Sequence, residues 1–271
     1  MKKLSDAKKS VLGNMILRQT MGGVRKEDII RDKDTLKERI KEEYEKQDSK
    51  NTHKLDLTML DVSLVEDMSD LFTELNYLKS INVSNWDVGN VKDMNSMFTS
   101  CESLKSIDVS KWNVSNVEDM HSMFDSCYSL KSIDVSNWDV SNVKSMMYMF
   151  HRCNSLEFIN VSNWNVSNVE IMEDMFYNCS SLKSIDVSNW DVSSVKNMEC
   201  MFQDCSSLVT IDVSNWDVSN VEDMYYMFSG CSSLKSIDVS NWDVSNVKYM
   251  WYMFHECKFD YKQEGNKLVK I

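Results

Sequence analysis

Between residues 52 and 257 the apolar positions return with a single period. Trp stands at 86, 112, 138, 164, 190, 216 and 242, and Cys at 101, 127, 153, 179, 205, 231 and 257, each step being 26 residues. The unit reads L-K-S-I-D-V-S-N-W-D-V-S-N-V-x-x-M-x-x-M-F-x-x-C-x-S and is best preserved from Leu130 to Ser155 and from Leu234 to Cys257. Leu104, Ile107 and Val109 show the alternation of a short strand. Val117, Met120, Met123, Phe124 and Cys127 then fall on one face at helical pitch. Ser115, Ser167 and Ser219 precede Glu118, Glu170 and Glu222 by three, the spacing of a capping box, which strengthens the expectation of a short helix.

One strand and one short helix cannot bury both faces alone, so stacking must supply the core. The fold expected is an α/β repeat: a right-handed solenoid of about eight coils with an N-terminal helical cap. At a strand spacing of about 4.8 Å the coils span roughly 38 Å. Leu55, Leu57, Leu60, Val65, Met68, Phe72 and Leu75 occupy the Ile, Val, Trp, Val, Met, Phe and Cys columns one period earlier, a degenerate opening repeat. The expected organisation is a charged helical region over 1–51, the solenoid over 52–257, and a cap over 258–271. In the leader, Ile29, Ile30, Leu36, Ile40 and Tyr44 form a thin apolar stripe suited to capping the first coil or to self-association. At the other end Leu268 to Ile271 reads as one last strand.

Pro is absent and Gly occurs 6 times, so turns must rely on Ser, Asn and Asp. The six Gly match neither the dinucleotide fingerprint nor the Walker pattern, which excludes those nucleotide enzymes. The net charge of −12 is uneven: residues 1–50 hold 14 of the 30 basic and 10 of the 42 acidic side chains, leaving 16 against 32 in the rest. An acidic body disfavours direct nucleic-acid or membrane binding and favours a basic protein partner. No run of 18 apolar residues spans a membrane. Met1-Lys2-Lys3 has the charge of a signal n-region but lacks a clean apolar stretch after it, so the expectation is a cytoplasmic protein with free thiols, with export to the cell surface as the alternative.

The units Leu130-Lys-Ser-Ile-Asp-Val-Ser-Asn-Trp-Asp-Val-Ser-Asn-Val143 and Met146-x-x-Met149-Phe150-x-x-Cys153 resemble the BspA-like leucine-rich repeats of bacterial surface proteins and mycoplasma lipoproteins. The resemblance covers roughly residues 52–257. It implies a leucine-rich-repeat-like solenoid that binds other macromolecules and catalyses nothing. Family members are commonly exported adhesins, whereas this sequence shows no lipobox cysteine near Met1 and, lacking Pro, no proline-containing sortase signal. An adhesin is therefore an alternative reading, as is a phage- or mobile-element-encoded inhibitor that mimics nucleic acid and blocks a host nucleic-acid enzyme.

The candidate chemistry is sparse. The seven register cysteines read as buried fillers, because Leu75 occupies their column. Cys200 lies outside the apolar stripe and is the thiol expected to be exposed and reactive. His151 and His255 share a column but stand four coils apart, too far to share a metal. No metal, cofactor or catalytic constellation is expected. Two Asp/Asn columns, one through Asp186, Asp212 and Asp238 and one through Asp191, Asp217 and Asp243, suit either backbone capping in turns or a negative docking surface. Specificity should reside where coils differ: Met147-Tyr148, Tyr225-Tyr226 and Trp251-Tyr252 replace polar pairs with apolar and aromatic ones. These six residues, with Asp186, Asp212 and Asp238, are the expected partner-binding set on a chain expected to be monomeric.

Overall fold

A computed structural model of the chain describes residues 30–48, 53–73, 75–259 and 261–270. The leader before Ile30, including Ile29 of the proposed stripe, lies outside the described residues, as does Ile271. From residue 53 the chain winds as a solenoid whose coils are related by the 26-residue step. β1 (Lys54–Asp56), β2 (Ser80–Asn82) and β3 (Ser106–Ile107) pair in parallel with Leu55 opposite Ile81 and Ile81 opposite Ile107. β4 (Ser132–Ile133) pairs likewise with β5 (Phe158–Ile159), and Ser184 bridges Thr210 further along. These short parallel strands and the turns that connect them make a leucine-rich-repeat-like solenoid.

The helix expected in each coil does not form. The only α-helix among the described residues is α1 (Lys33–Asp48), ahead of the solenoid. The stretch that carries Met120, Met123, Phe124 and Cys127 is a succession of turns, in which Met123 N donates to Met120 O and Cys127 N to Phe124 O, three residues back. Alternate amides point out of the coil instead. Met94, Ser96, Phe98 and Ser100 donate to the carbonyls of Asp119, His121, Met123 and Asp125 of the next coil, at 2.8–3.0 Å. An α-helix would have spent those amides internally; here they tie neighbouring coils together, and parallel bridges run from Asp67 through Asp93, Asp119, Ser145, Ile171, Asn197 and Asp223 to Tyr249. The backbone achieves this by entering the left-handed region twice per coil, at Ser96 and Ser100 in one and at Tyr148 and Arg152 in another. Glu118 therefore caps no helix. It belongs to a column, described below, that the capping-box reading missed.

Turns opened and closed by inward residues recur around the whole coil: Trp112 N bonds Val109 O, Val117 N bonds Val114 O, and Leu130 N bonds Cys127 O. That geometry explains the three-residue steps of the apolar pattern, because both flanks of each turn face the interior. Stacking then lays like on like. Phe rings from Phe72 to Phe254 stack with centroids 4.9–5.8 Å apart. Trp rings from Trp112 to Trp242 lie 6.3–6.4 Å apart and within 3° of parallel. Such pairs contribute about 0.5–1.5 kcal/mol each beyond the area they bury. Each register indole is also satisfied: Trp164 Nε1 donates to Val135 O at 3.0 Å, and the other six register tryptophans do the same 29 residues back.

Both ends are covered. Asp32 caps α1 by accepting the Thr35 amide at 2.8 Å, and Leu36 and Ile40 are buried in the first coil. Gln47 pairs with the open edge of β1, donating to Asp56 O and accepting from Asp56 N. An exposed parallel edge would otherwise invite another strand. At the far end β6 (Tyr261–Glu264) and β7 (Lys267–Lys270) form an antiparallel hairpin around Gly265, which takes φ +66°. The tail thus folds on itself rather than extending the parallel ladder, and docks through Val244 N to Asn266 O and Tyr261 Oη to Ile237 O.

Candidate functional site

Most columns are committed to structure. Each register cysteine donates its Sγ–H to the carbonyl of the Phe 29 residues earlier, as Cys153 does to Phe124 at 3.2 Å. Six of the seven are buried and Cys257 is half-buried. Burial pushes the Cys101 and Cys179 thiols up to about 12 and those of Cys127, Cys153, Cys205 and Cys231 well above the usual thiol range. Cys200 corrects the expectation of a reactive thiol: it is half-buried, and burial first, then the carboxylates of Asp174, Glu199, Glu173 and Asp223, push it up to about 12. A thiol needs positive surroundings to become nucleophilic; this one has negative ones.

Asp186, Asp212 and Asp238 are exposed and act within turns, each Oδ1 accepting both the amide and the hydroxyl of the Ser two residues on. Those bonds hold the Asp212 and Asp238 carboxyls below the usual carboxylate range. In the second ladder Asp191 Oδ1 accepts both groups of Ser193, and Asp217 Oδ1 accepts the Ser219 amide. A third column, unnoticed in the sequence, adds inter-coil bonds: Asn142 Nδ2 donates to Ser115 O at 2.7 Å, and Asn168 to Ser141 O at 2.6 Å. A fourth alternates in sign from coil to coil, Glu66, Lys92, Glu118, Lys144, Glu170, Lys196, Glu222, Lys248. Lys92, Lys144, Lys196 and Lys248 reach the Glu of the preceding coil at 2.6, 3.6, 2.6 and 2.5 Å.

The variable residues gather on the left-handed turn of each coil. In the middle, Tyr148 Oη donates to Glu173 at 3.1 Å, Asn197 donates to the other Glu173 oxygen at 2.8 Å, and His151 Nδ1 meets Asp125 at 2.6 Å. His151 stacks on Tyr177 with centroids 5.0 Å apart, and Met147 beside Tyr148 is half-buried. Burial pushes the Asp174 carboxyl up to about 6 against the pull of His151, and raises Glu199, with Asp223, Glu173 and Asp174 adding their repulsion. Toward the C-terminal end Tyr225 meets Tyr226 edge-on at 4.2 Å, and Tyr226 stacks on Tyr252 at 5.2 Å. Trp251 and Tyr252 are 68% and 55% exposed.

The structure thus joins Tyr225, Tyr226 and Tyr252 to one another and Trp251 to Tyr249, leaves Tyr148 with His121 and His151, and sets beside them carboxylates other than those expected. Glu173, Asp174, Glu199 and Asp223 share this surface, whereas no contact among the described residues links it to Asp186, Asp212 or Asp238. Tyr249, half exposed and edge-on to Trp251, was also missed, because it lies on a column filled elsewhere by Asp, Ser, Ile and Asn. Among the described residues no group of three or more His, Cys, Asp or Glu is placed to hold a metal ion, and no helix is long and apolar enough to cross a membrane.

One family model matches the chain three times in overlapping stretches, as repeated coils would. The chain belongs to the family described as "Mycoplasma protein of unknown function, DUF285", which it matches over residues 39–157, 108–210 and 181–268. No curated protein matches it. Solved structures similar to it include the TLR13–ssRNA13 complex, at 15% identity and TM-score 0.41 over 71% of this chain and 25% of that one. Another is an internalin, InlF of Listeria monocytogenes, at 11% identity and TM-score 0.31 over 76% of each chain. The chain spans a quarter of the length of the TLR13 chain.

Proposed function

We propose that the protein is a non-catalytic scaffold that binds a basic protein partner on the surface running from Met147 and Tyr148 to Trp251 and Tyr252. One observation carries the reading: coils of near-identical backbone and core diverge on this surface, and there they display exposed aromatics around carboxylates that repel one another. Trp and Tyr side chains are the usual anchors of interfaces once a partner covers them, and crowded carboxylates are relieved by a cationic partner. Asp186, Asp212 and Asp238, exposed on a separate column, add a longer-range field that steers approach. Nucleic-acid mimicry draws less support, since the alternating Glu/Lys column interrupts the acidic surface with four lysines.

Affinity capture from the source cell followed by surface plasmon resonance across a salt series tests this reading. Changing Tyr225, Tyr226, Trp251 and Tyr252 to Ala should mainly speed dissociation. Changing Asp186, Asp212 and Asp238 to Asn, which keeps the turn acceptors, should slow association and flatten its salt dependence. Unchanged kinetics in both variants would refute the assignment.

A further inference from the structure

Asp223, Tyr225, Tyr249 and Trp251 line a solvent-open cavity of ≈ 270 Å³ between the last two coils. Its walls are set at angles rather than stacked. Tyr249 and Trp251 meet at 72° with centroids 6.4 Å apart, and Tyr225 is braced at 74° by Tyr226, which in turn rests on Tyr252. The carboxylate is fixed by its backbone role: Asp223 Oδ1 accepts the Tyr225 amide at 2.9 Å, which leaves Oδ2 without a hydrogen-bond partner among the described residues. One coil earlier the same four positions hold Asn197, Glu199, Asp223 and Tyr225, so the box arises from side-chain choice on a constant backbone. Lys248, next to Tyr249 in the chain, does not fill it, being held by Glu222 at 2.5 Å.

We infer that this box receives an arginine side chain of the partner, the guanidinium lying against the Trp251 and Tyr249 rings with one N–H directed to Asp223. The inference rests on the reading of this surface as a site for a basic protein. Three aromatic rings and a carboxylate favour a cation over an anion or an apolar group. The open side selects among cations: Trp251 is 68% and Tyr249 50% exposed, so the box strips little water from its occupant. A guanidinium is weakly hydrated, planar and stacks, whereas an ammonium is a strongly hydrated point charge that needs a closed cage to replace its water.

Trp251 supplies its own reporter. The seven register tryptophans are at most 4% exposed, so acrylamide quenching of the native chain reads Trp251. A blocked Gly-Gly-Arg-Gly-Gly peptide should protect Trp251 with millimolar affinity, as befits one side chain. The same peptide with citrulline, equal in shape and uncharged, should give no protection, and the lysine peptide should bind several-fold more weakly. Asp223→Asn, which retains the acceptor for the Tyr225 amide, should weaken the arginine peptide about tenfold. Glu66→Gln, in the first coil, where the carboxylate pairs with Lys92, should leave it unchanged. Equal protection by the citrulline or lysine peptide, or an unaltered affinity in Asp223→Asn, overturns the inference. So does protection that grows with protein concentration in the absence of peptide, which would assign the box to a second copy of the chain. Failure of the peptide while the Tyr/Trp→Ala variant still releases a captured protein would sink the arginine box and leave the scaffold reading standing.

Discussion

Trp164 offers the sharpest test of the stacked core. Its ring is 3% exposed, lies 6.4 Å from Trp138 and 6.3 Å from Trp190, and donates from Nε1 to Val135 O at 3.0 Å. An aromatic of this size buries about 150–250 Å², which at about 25 cal/mol per Å² sets an upper bound of about 4–6 kcal/mol. Alanine keeps part of that burial, and neighbouring coils relax only partly around the cavity, so Trp164→Ala should cost about 3–5 kcal/mol. Trp164→Phe keeps a ring in the stack and loses the indole hydrogen bond. The Val135 carbonyl would not be orphaned, because it also accepts the Trp138 amide at 3.1 Å; the Phe variant should therefore cost only about 1–2 kcal/mol. Urea unfolding followed by far-ultraviolet circular dichroism, with midpoint and slope compared across the three proteins, measures both values. A loss under about 1 kcal/mol for Ala, or equal losses for Ala and Phe, would show that the indole is not packed as described.

Three other outcomes follow from the geometry. A maleimide at pH 7.5 should label the native chain slowly, starting with the half-buried Cys200 and Cys257, and label all eight thiols only after unfolding; fast labelling of the buried six would contradict their donation to Phe carbonyls. Asp174 is protonated more readily in the folded chain, its carboxyl lying at about 6 against an ordinary 3.8, so the stability this group contributes is complete below pH 3.8 and is lost as the pH rises through 6. Asp174→Asn should accordingly raise stability at pH 8 by about 1 kcal/mol, discounted for its half-exposed position, and change little at pH 4; a loss at pH 8 would count against the burial of this carboxylate. Gly230 takes φ +72°, and a Cβ there would stand 2.2 Å from Asp204 Oδ1, so Gly230→Ala should cost about 1–2 kcal/mol in thermal unfolding, and Asp204→Ala should recover the steric part but not the backbone part.

Much of the fold could be read from spacing alone, since identical residues every 26 positions have no other economical explanation than stacked coils. The Asp/Asn exchange in the ladders likewise signalled the turn hydrogen bonds that Asp212 and Asn160 both make. The helix was misread because Val117, Met120, Met123, Phe124 and Cys127 fall within an arc of roughly 120° at helical pitch. Steps of three also suit consecutive turns whose flanks both face inward, and only the two left-handed residues per coil distinguish the cases. Those residues are Ser, Tyr, Arg, Asp, Asn, Cys and Glu at 13 of the 14 register positions from Ser96 to Glu256, with Gly230 the exception, so the usual glycine signal was missing. The cysteine column was legible as buried, but the bond each thiol makes to a carbonyl was not, because Leu75 at the same position makes none of that kind. Glu173 and Glu199 stand on the same variable column as Met147, Tyr225 and Trp251. Their company with Tyr148, Cys200 and Asp223 depends on how turns of adjacent coils overlap, which spacing within one coil does not reveal.

The alternation of Glu and Lys along one column gives the solenoid a parity. Near-identical repeats invite loss and duplication by recombination, and a hydrophobic core made of like-on-like columns is indifferent to how many units are gained or lost. The charge column is not indifferent. Removing the coil that bears Lys144 would set Glu118 against Glu170, whereas removing two successive coils would restore the opposite-sign neighbours on every side. Copy number is therefore free to drift in pairs and is resisted in single steps, so that length variants of this chain should differ by even numbers of coils.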